Sequence, residues 1–176
     1  MINFYEILFL NLNCNKFKLA VKYKLDFYTQ YKQFYLRDKL SSGDTESNDF
    51  WTTEAHNDRL AIEKGILGIG TECYGSVKGE LDILDSMNNK IDSTQFDHIV
   101  EGGIEIKSGL LQVLDCPNLN VELEVKLKPG TYRIRVYSSN LSSVNGRDEN
   151  DYYKIEIWHD ENMNRKVLKQ YLPSYL

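Results

Sequence analysis

Histidine and cysteine most often carry nucleophilic or metal chemistry, and the sequence holds three of each. Cys14, Cys73 and Cys116 are far apart, so no pair has the close spacing of a zinc or redox motif. His56, His98 and His159 share no ligand spacing, and none stands in a nucleophile motif. The cysteines read as reduced thiols packed as small hydrophobes, which fits a cytoplasmic protein. Carboxylates come next. Asp148-Glu149-Asn150-Asp151 clusters oxygen ligands of the kind calcium takes, without the spacing of an EF-hand. Glu122 and Glu124 share one strand face, where paired acids would serve glycoside hydrolysis. That face is the solvated one, where acids are common. Gly65-Ile66-Leu67-Gly68-Ile69-Gly70 is glycine-rich, but no Gly-Lys-Ser/Thr follows and no helix starts there. A strand approached closely by another backbone explains it better than a phosphate cradle. No enzyme is expected, and no cofactor or metal.

What remains is surface. The chain has 176 residues, 21 Lys+Arg and 26 Asp+Glu, for a formal charge of −5. That balance argues against direct contact with nucleic acid and suits a basic protein partner. Met1–Leu12 is apolar, but it falls short of the roughly 20 residues of a membrane span and lacks a cationic start, so no membrane contact is expected. Acids gather in loops: Asp44, Glu46, Asp49, Glu54 and Asp58 early, then Asp148, Glu149, Asp151, Asp160 and Glu161 late. Loops at one end of a sandwich commonly carry binding. The expected partner-binding residues are therefore Asp148, Glu149, Asp151, Glu46 and Asp49. Tyr152, Tyr153 and Trp158 stand nearby, with Tyr152 and Trp158 as the aromatic anchors. A carbohydrate- or calcium-binding module using those aromatics is the rival reading.

These residues must be positioned by strands. Twelve Tyr, seven Phe and two Trp suit pleated, half-buried surfaces. Two strands are expected within 17–36, a loop over Lys39–Asn48, and strands at Ile66–Tyr74, Gly79–Leu84, Ile104–Lys107 and Leu110–Leu114. Val121–Leu127 alternates Val, Leu, Val, Leu against Glu, Glu, Lys. Lys128-Pro129-Gly130 then supplies turn chemistry, and Thr131–Ser138 is expected to return as the antiparallel partner of a hairpin. Asn140–Asn150 is a polar loop, Asp151–His159 a strand, and Asn164–Leu172 a short helix or last strand. One helix is expected, capped by Thr52 or Thr53, with Trp51, Ala55, Leu60, Ala61 and Ile62 on its apolar face and Gly65 closing it. The fold class is all-β: an antiparallel β-sandwich with one short α-helix. Residues 1–22 form an extension or extra strand, and 23–176 a single sandwich domain.

Two stretches carry a resemblance. The first is Phe50-Trp51-Thr52-Thr53-Glu54-Ala55, continuing to Ala61-Ile62-Glu63-Lys64-Gly65-Ile66. The second is Val121–Leu127 with Lys128-Pro129-Gly130-Thr131-Tyr132-Arg133-Ile134-Arg135-Val136-Tyr137. Together they resemble the competence protein J family, inhibitors of a DNA-entry nuclease. The likeness spans about Tyr23 to Trp158. Residues 1–22, the long loop at 39–49 and the continuation past Trp158 depart from it. The resemblance implies a stoichiometric inhibitor of a nuclease, or an immunity protein against a nuclease toxin, whose partner is a basic nuclease. It fixes no contact residue; those named above rest on charge and loop position.

Overall fold

The computed structural model describes residues 21–144 and 150–172. In chain order these form β1 (Val21–Tyr28), β2 (Gln33–Asp38), α1 (Thr53–Asn57), β3 (Leu60–Glu63), β4 (Ile66–Gly70), β5 (Ser76–Ile83) and β6 (His98–Ile106). β7 (Leu110–Leu114), β8 (Val121–Lys126), β9 (Gly130–Ser139), β10 (Tyr152–His159) and β11 (Lys166–Lys169) follow. Six strands make one sheet in the order β1-β5-β10-β9-β6-β11, and five make the other, β3-β4-β2-β7-β8. All pairs are antiparallel except β5 with β10. The expected all-β sandwich with one short helix is what folds. Leu25, Phe34, Leu36, Leu67, Val100, Ile134 and Ile155 meet between the sheets in one buried core. No helix among the described residues is long and apolar enough to cross a membrane.

The second outer face is itself covered. Gly68 of β4 has room for no side chain: a Cβ there would lie 2.6 Å from the Trp51 ring and 2.9 Å from Phe50. Two aromatic rings, rather than the expected backbone, make the close approach. Phe50, Ala55, Tyr35, Ala61, Ile66, Leu114 and Cys116 form a second small core there. The first sheet's outer face is covered by residues 84–97 and 160–164.

Three local expectations are corrected. The helix is only five residues long, with Thr52 accepting from the Ala55 N–H at 3.1 Å. It ends at Asp58, and Arg59 takes a left-handed φ of 54°. Leu60–Glu63 then pairs with β4 as a strand. So short a helix cannot hold itself, whereas an apolar Leu-Ala-Ile run buries well in a sheet. Gly65, at φ +69°, closes the β3–β4 hairpin instead of a helix.

The second correction concerns Val121–Leu127 and Thr131–Ser138. Both are strands, but β8 pairs with β7 while β9 lies between β10 and β6 in the other sheet. Lys128-Pro129-Gly130 is an arch between layers, not a hairpin turn. Burial decides this. β9 is buried on both faces from Tyr132 to Ser138 and needs a central position. β8 is exposed at most positions and suits an edge. The third correction is smaller: Val121 is 50% exposed, so the apolar side of β8 is fully buried only at Val125.

Candidate protein-binding face

The segment after β2 climbs across the outer face of the five-stranded sheet. The Ser41 hydroxyl donates to Lys64 O at 2.7 Å, pinning its start. Asp44 Oδ1 accepts from the Glu46 N–H at 2.9 Å, and Ser47 Oγ from the Asp49 N–H at 3.2 Å. Short polar side chains thus fold the loop on itself. Phe50 and Trp51 then fasten it to the sheet. Asp44, Glu46 and Asp49 are left exposed along a fixed path. Glu46 sits near Tyr35: burial is the main cause that lifts the Tyr35 hydroxyl pKa, Cys116 adds to it, and Glu46 adds a smaller push.

Beyond this cover, β8 at the sheet edge is the largely exposed strand. Arg37, Gln112 and Glu124 align across three strands. Arg37 donates to Gln112 Oε1 at 3.2 Å, and Gln112 donates to Glu124 at 2.8 Å. Lys39 adds a 3.2 Å ion pair. Gln112 first, then Lys39, holds the Glu124 carboxyl below its ordinary pKa. Glu122 is raised instead, by burial and then by the charge of Asp115. Both acids lie on an exposed edge strand rather than in a cleft. The exposed acids on this sheet are thus Asp44, Glu46 and Asp49 on the draped loop, and Glu122 and Glu124 on β8, with Lys39 beside Glu124.

The other expected residues lie elsewhere. Asp148 and Glu149 fall outside the described residues. Asp151 is buried; its Oδ2 accepts from Glu72 N at 3.1 Å, Cys73 N at 2.9 Å and the Tyr153 hydroxyl at 2.6 Å. That carboxylate clamps the β4–β5 connection. Tyr153 is fully buried, and burial first, then Asp151, pushes its hydroxyl pKa well up. Tyr152 is 37% exposed on the outer face of the six-stranded sheet, donating to Glu80 at 3.4 Å. Trp158 is buried under the Arg135 guanidinium, 4.9 Å from its ring centroid. Asp160 accepts from the Trp158 indole at 3.3 Å and from Asn162 N at 2.8 Å. Asp151 and Asp160 stand at opposite ends of β10, about 30 Å apart along the strand. The late acids therefore do not share one end with each other.

Sequence reasoning missed a charge ladder across the six-stranded sheet. Lys22 pairs with Glu80 at 2.8 Å, and Lys154 with Glu156 at 3.2 Å. Glu156 accepts from the Tyr137 hydroxyl at 2.7 Å and meets Arg135 at 3.4 Å. Glu101 joins Arg135 at 2.6 Å and Arg133 at 3.1 Å. Arg133 also donates to the carbonyls of Asn162 and Asn164, and Arg135 to that of Asn88. The covering segments are thus stapled down by buried guanidiniums. The signal was present: Arg133 and Arg135 alternate with apolar residues on β9. Among the described residues, no group of three or more His, Cys, Asp or Glu is placed to hold a metal.

The fold is a two-sheet β-sandwich with its outer faces partly padded by its own chain and exposed acids on a draped loop and on the edge strand β8. That sandwich is similar to the crystal structure of ComJ, inhibitor of the DNA degrading activity of NucA, from Bacillus subtilis. The TM-score is 0.62 at 14% identity, covering 82% of this chain and all of that one. Crocagin biosynthetic gene J aligns at TM-score 0.48 and 15% identity, over 83% of this chain and all of that one. No protein-family model and no curated protein sequence matches the chain. The shared fold is what the likeness to ComJ establishes.

Proposed function

We propose that the chain is a stoichiometric protein inhibitor of a nuclease, either a competence-type inhibitor or an immunity protein against a nuclease toxin. It acts in the cytoplasm and has no chemistry of its own. The observation that carries this is the likeness, over 82% of the chain, to an inhibitor of a DNA-degrading nuclease. Charge supports it. A nuclease grips a polyanion with a basic groove. A chain of net charge −5 with carboxylates on a fixed face enters such a groove as a phosphate mimic. Because the loop is fastened by Phe50 and Trp51, little order is lost on binding. Glu46 and Asp49 lead this contact, with Glu122 and Glu124 beside them. Asp148 and Glu149 are proposed to join it. Tyr152 and Trp158 belong to the other sheet and buried Asp151 to the β4–β5 connection, so they stand outside this contact.

The test is a tagged pull-down from the native organism, with the eluate assayed for nuclease activity before and after the inhibitor is stripped off. The expected result is a basic nuclease recovered one-to-one, silent in the complex and active once released. Recovery of no nuclease at low salt overturns the reading.

A further inference from the structure

Three connections knot together at one end of the sandwich: 29–32, 71–75 and 115–120. Thr29 N donates to Gly75 O at 2.8 Å, Thr71 N to Lys32 O at 2.8 Å, and Gln30 N to Cys116 O at 2.9 Å. The Thr29 hydroxyl donates to Gln33 O at 2.5 Å and accepts from Cys116 N at 2.9 Å. Inside this frame Tyr31 and Lys32 are both left-handed, at φ 56° and 55°. Leu119 in the third loop is left-handed too, at φ 57°. Consecutive non-glycine residues in that region are strained, and such strain persists where surrounding bonds over-determine it.

What the strain displays is apolar. Tyr31 is 61% exposed and Tyr74 52%, their rings edge to face with centroids 6.1 Å apart. Leu119, in the third loop of the knot, is 37% exposed. Rigid tyrosines held out of a fixed frame have the composition of an interface hot spot. Their charged surroundings select the partner. Lys32 is paired with Glu72, which also holds Arg59. The third loop runs from Asp115 into β8, where Glu122 stands. Cys116 of that loop lies 3.4 Å from the Tyr35 hydroxyl, beside Glu46. Glu72 is thus neutralised, while Glu46 and Glu122, on the elements that lead to this end, have no ion pair among the described residues. Such acids repel a nucleic acid whose bases would stack on the rings, and attract a cationic protein surface.

We propose that the Tyr31–Tyr74 pair is the apolar anchor of the inhibitory interface, seating in a pocket beside the basic groove that Glu46 and Glu122 face. This rests on the inhibitor reading above and adds to it the element that sets the lifetime of the complex.

Tyr31→Gly tests it in the full chain, because glycine removes the ring and relieves the left-handed strain together. The probe is the nuclease recovered one-to-one in the pull-down, with affinity measured by calorimetry and melting followed by circular dichroism. The expected result is binding weakened about thirtyfold, mainly through faster dissociation, with a melting temperature unchanged or higher. Tyr74→Ser weakens binding similarly, and Tyr31→Phe keeps most of it. If both variants bind and inhibit as tightly as the parent, the anchor is wrong and the inhibitor reading stands. If the parent captures no nuclease, both fall. If a fluorescent oligothymidylate binds the parent and is lost in Tyr31→Gly, or if the parent self-associates through these rings, the choice of partner is overturned.

Discussion

Replacing Glu101 by Gln removes one negative charge from beneath two guanidiniums. Glu101 Oε2 accepts from Arg133 Nε at 3.3 Å and Nη2 at 3.1 Å, while Oε1 accepts from Arg135 Nε at 2.6 Å. A glutamine has one acceptor oxygen, so it satisfies one arginine and turns an N–H donor toward the other. Arg135 keeps Glu156 at 3.4 Å and the Asn88 carbonyl, and Arg133 keeps two carbonyls. The arginine side chains are 3% exposed, so water does not screen the loss. Breaking a buried pair from one side costs about 3–5 kcal/mol. The retained partners place this change at the lower end, about 3 kcal/mol. For a chain of this size that lowers the melting temperature by roughly 6–12 °C. Thermal and urea denaturation of the two proteins at neutral pH reads it directly. A shift under about 2 °C would refute the view that this ladder holds its covering segments by buried charge.

Four further outcomes follow from the geometry. His98 is fully buried, with Nδ1 accepting from Tyr171 N at 3.2 Å and Nε2 lying 3.0 Å from Asp58 O. Burial first, then Arg59, lowers its pKa below 6.5, against the opposing pull of Asp58. The folded state thus holds His98 neutral, so its contribution is complete above about pH 6.5 and declines as pH falls below it. Chemical denaturation from pH 7.5 to 5 reads this as a slope of at most about 1.4 kcal/mol per pH unit, absent in His98→Gln. Gly68→Ala drives a methyl into Trp51 and Phe50 and destabilises by about 1–3 kcal/mol in urea melts, loosening the loop that carries Glu46. Thr52→Ala removes the cap of α1 and costs about 1 kcal/mol in the same assay. On the inhibitor reading, Glu46→Lys with Asp49→Lys slows association about tenfold at low salt and flattens its salt dependence, measured by stopped flow.

The strands were legible where burial is one-sided, and so were the edges of most loops. The pairing was not. Val121–Leu127, a Pro-Gly arch and Thr131–Ser138 have the local chemistry of a hairpin, and only the burial of β9 on both faces separates them into two layers. The same limit applies to the site. Glu46 and Asp151 are both loop acids in the sequence. One projects into solvent, and the other turns inward because two backbone N–H groups of a distant connection await it. Tyr31 and Tyr74 were unmarked because their meaning arises from contact across two loops.

The draped loop divides its residues into two kinds of position. Phe50, Trp51 and Ala55 answer to Gly68 and the sheet below. Glu46 and Asp49, lying between those anchors and β2, have side chains that answer to whatever approaches from outside. Selection acting on the second set can redraw recognition without disturbing the first. On the inhibitor reading, a lineage built this way changes partners by rewriting a few exposed letters, while the scaffold beneath them is inherited intact.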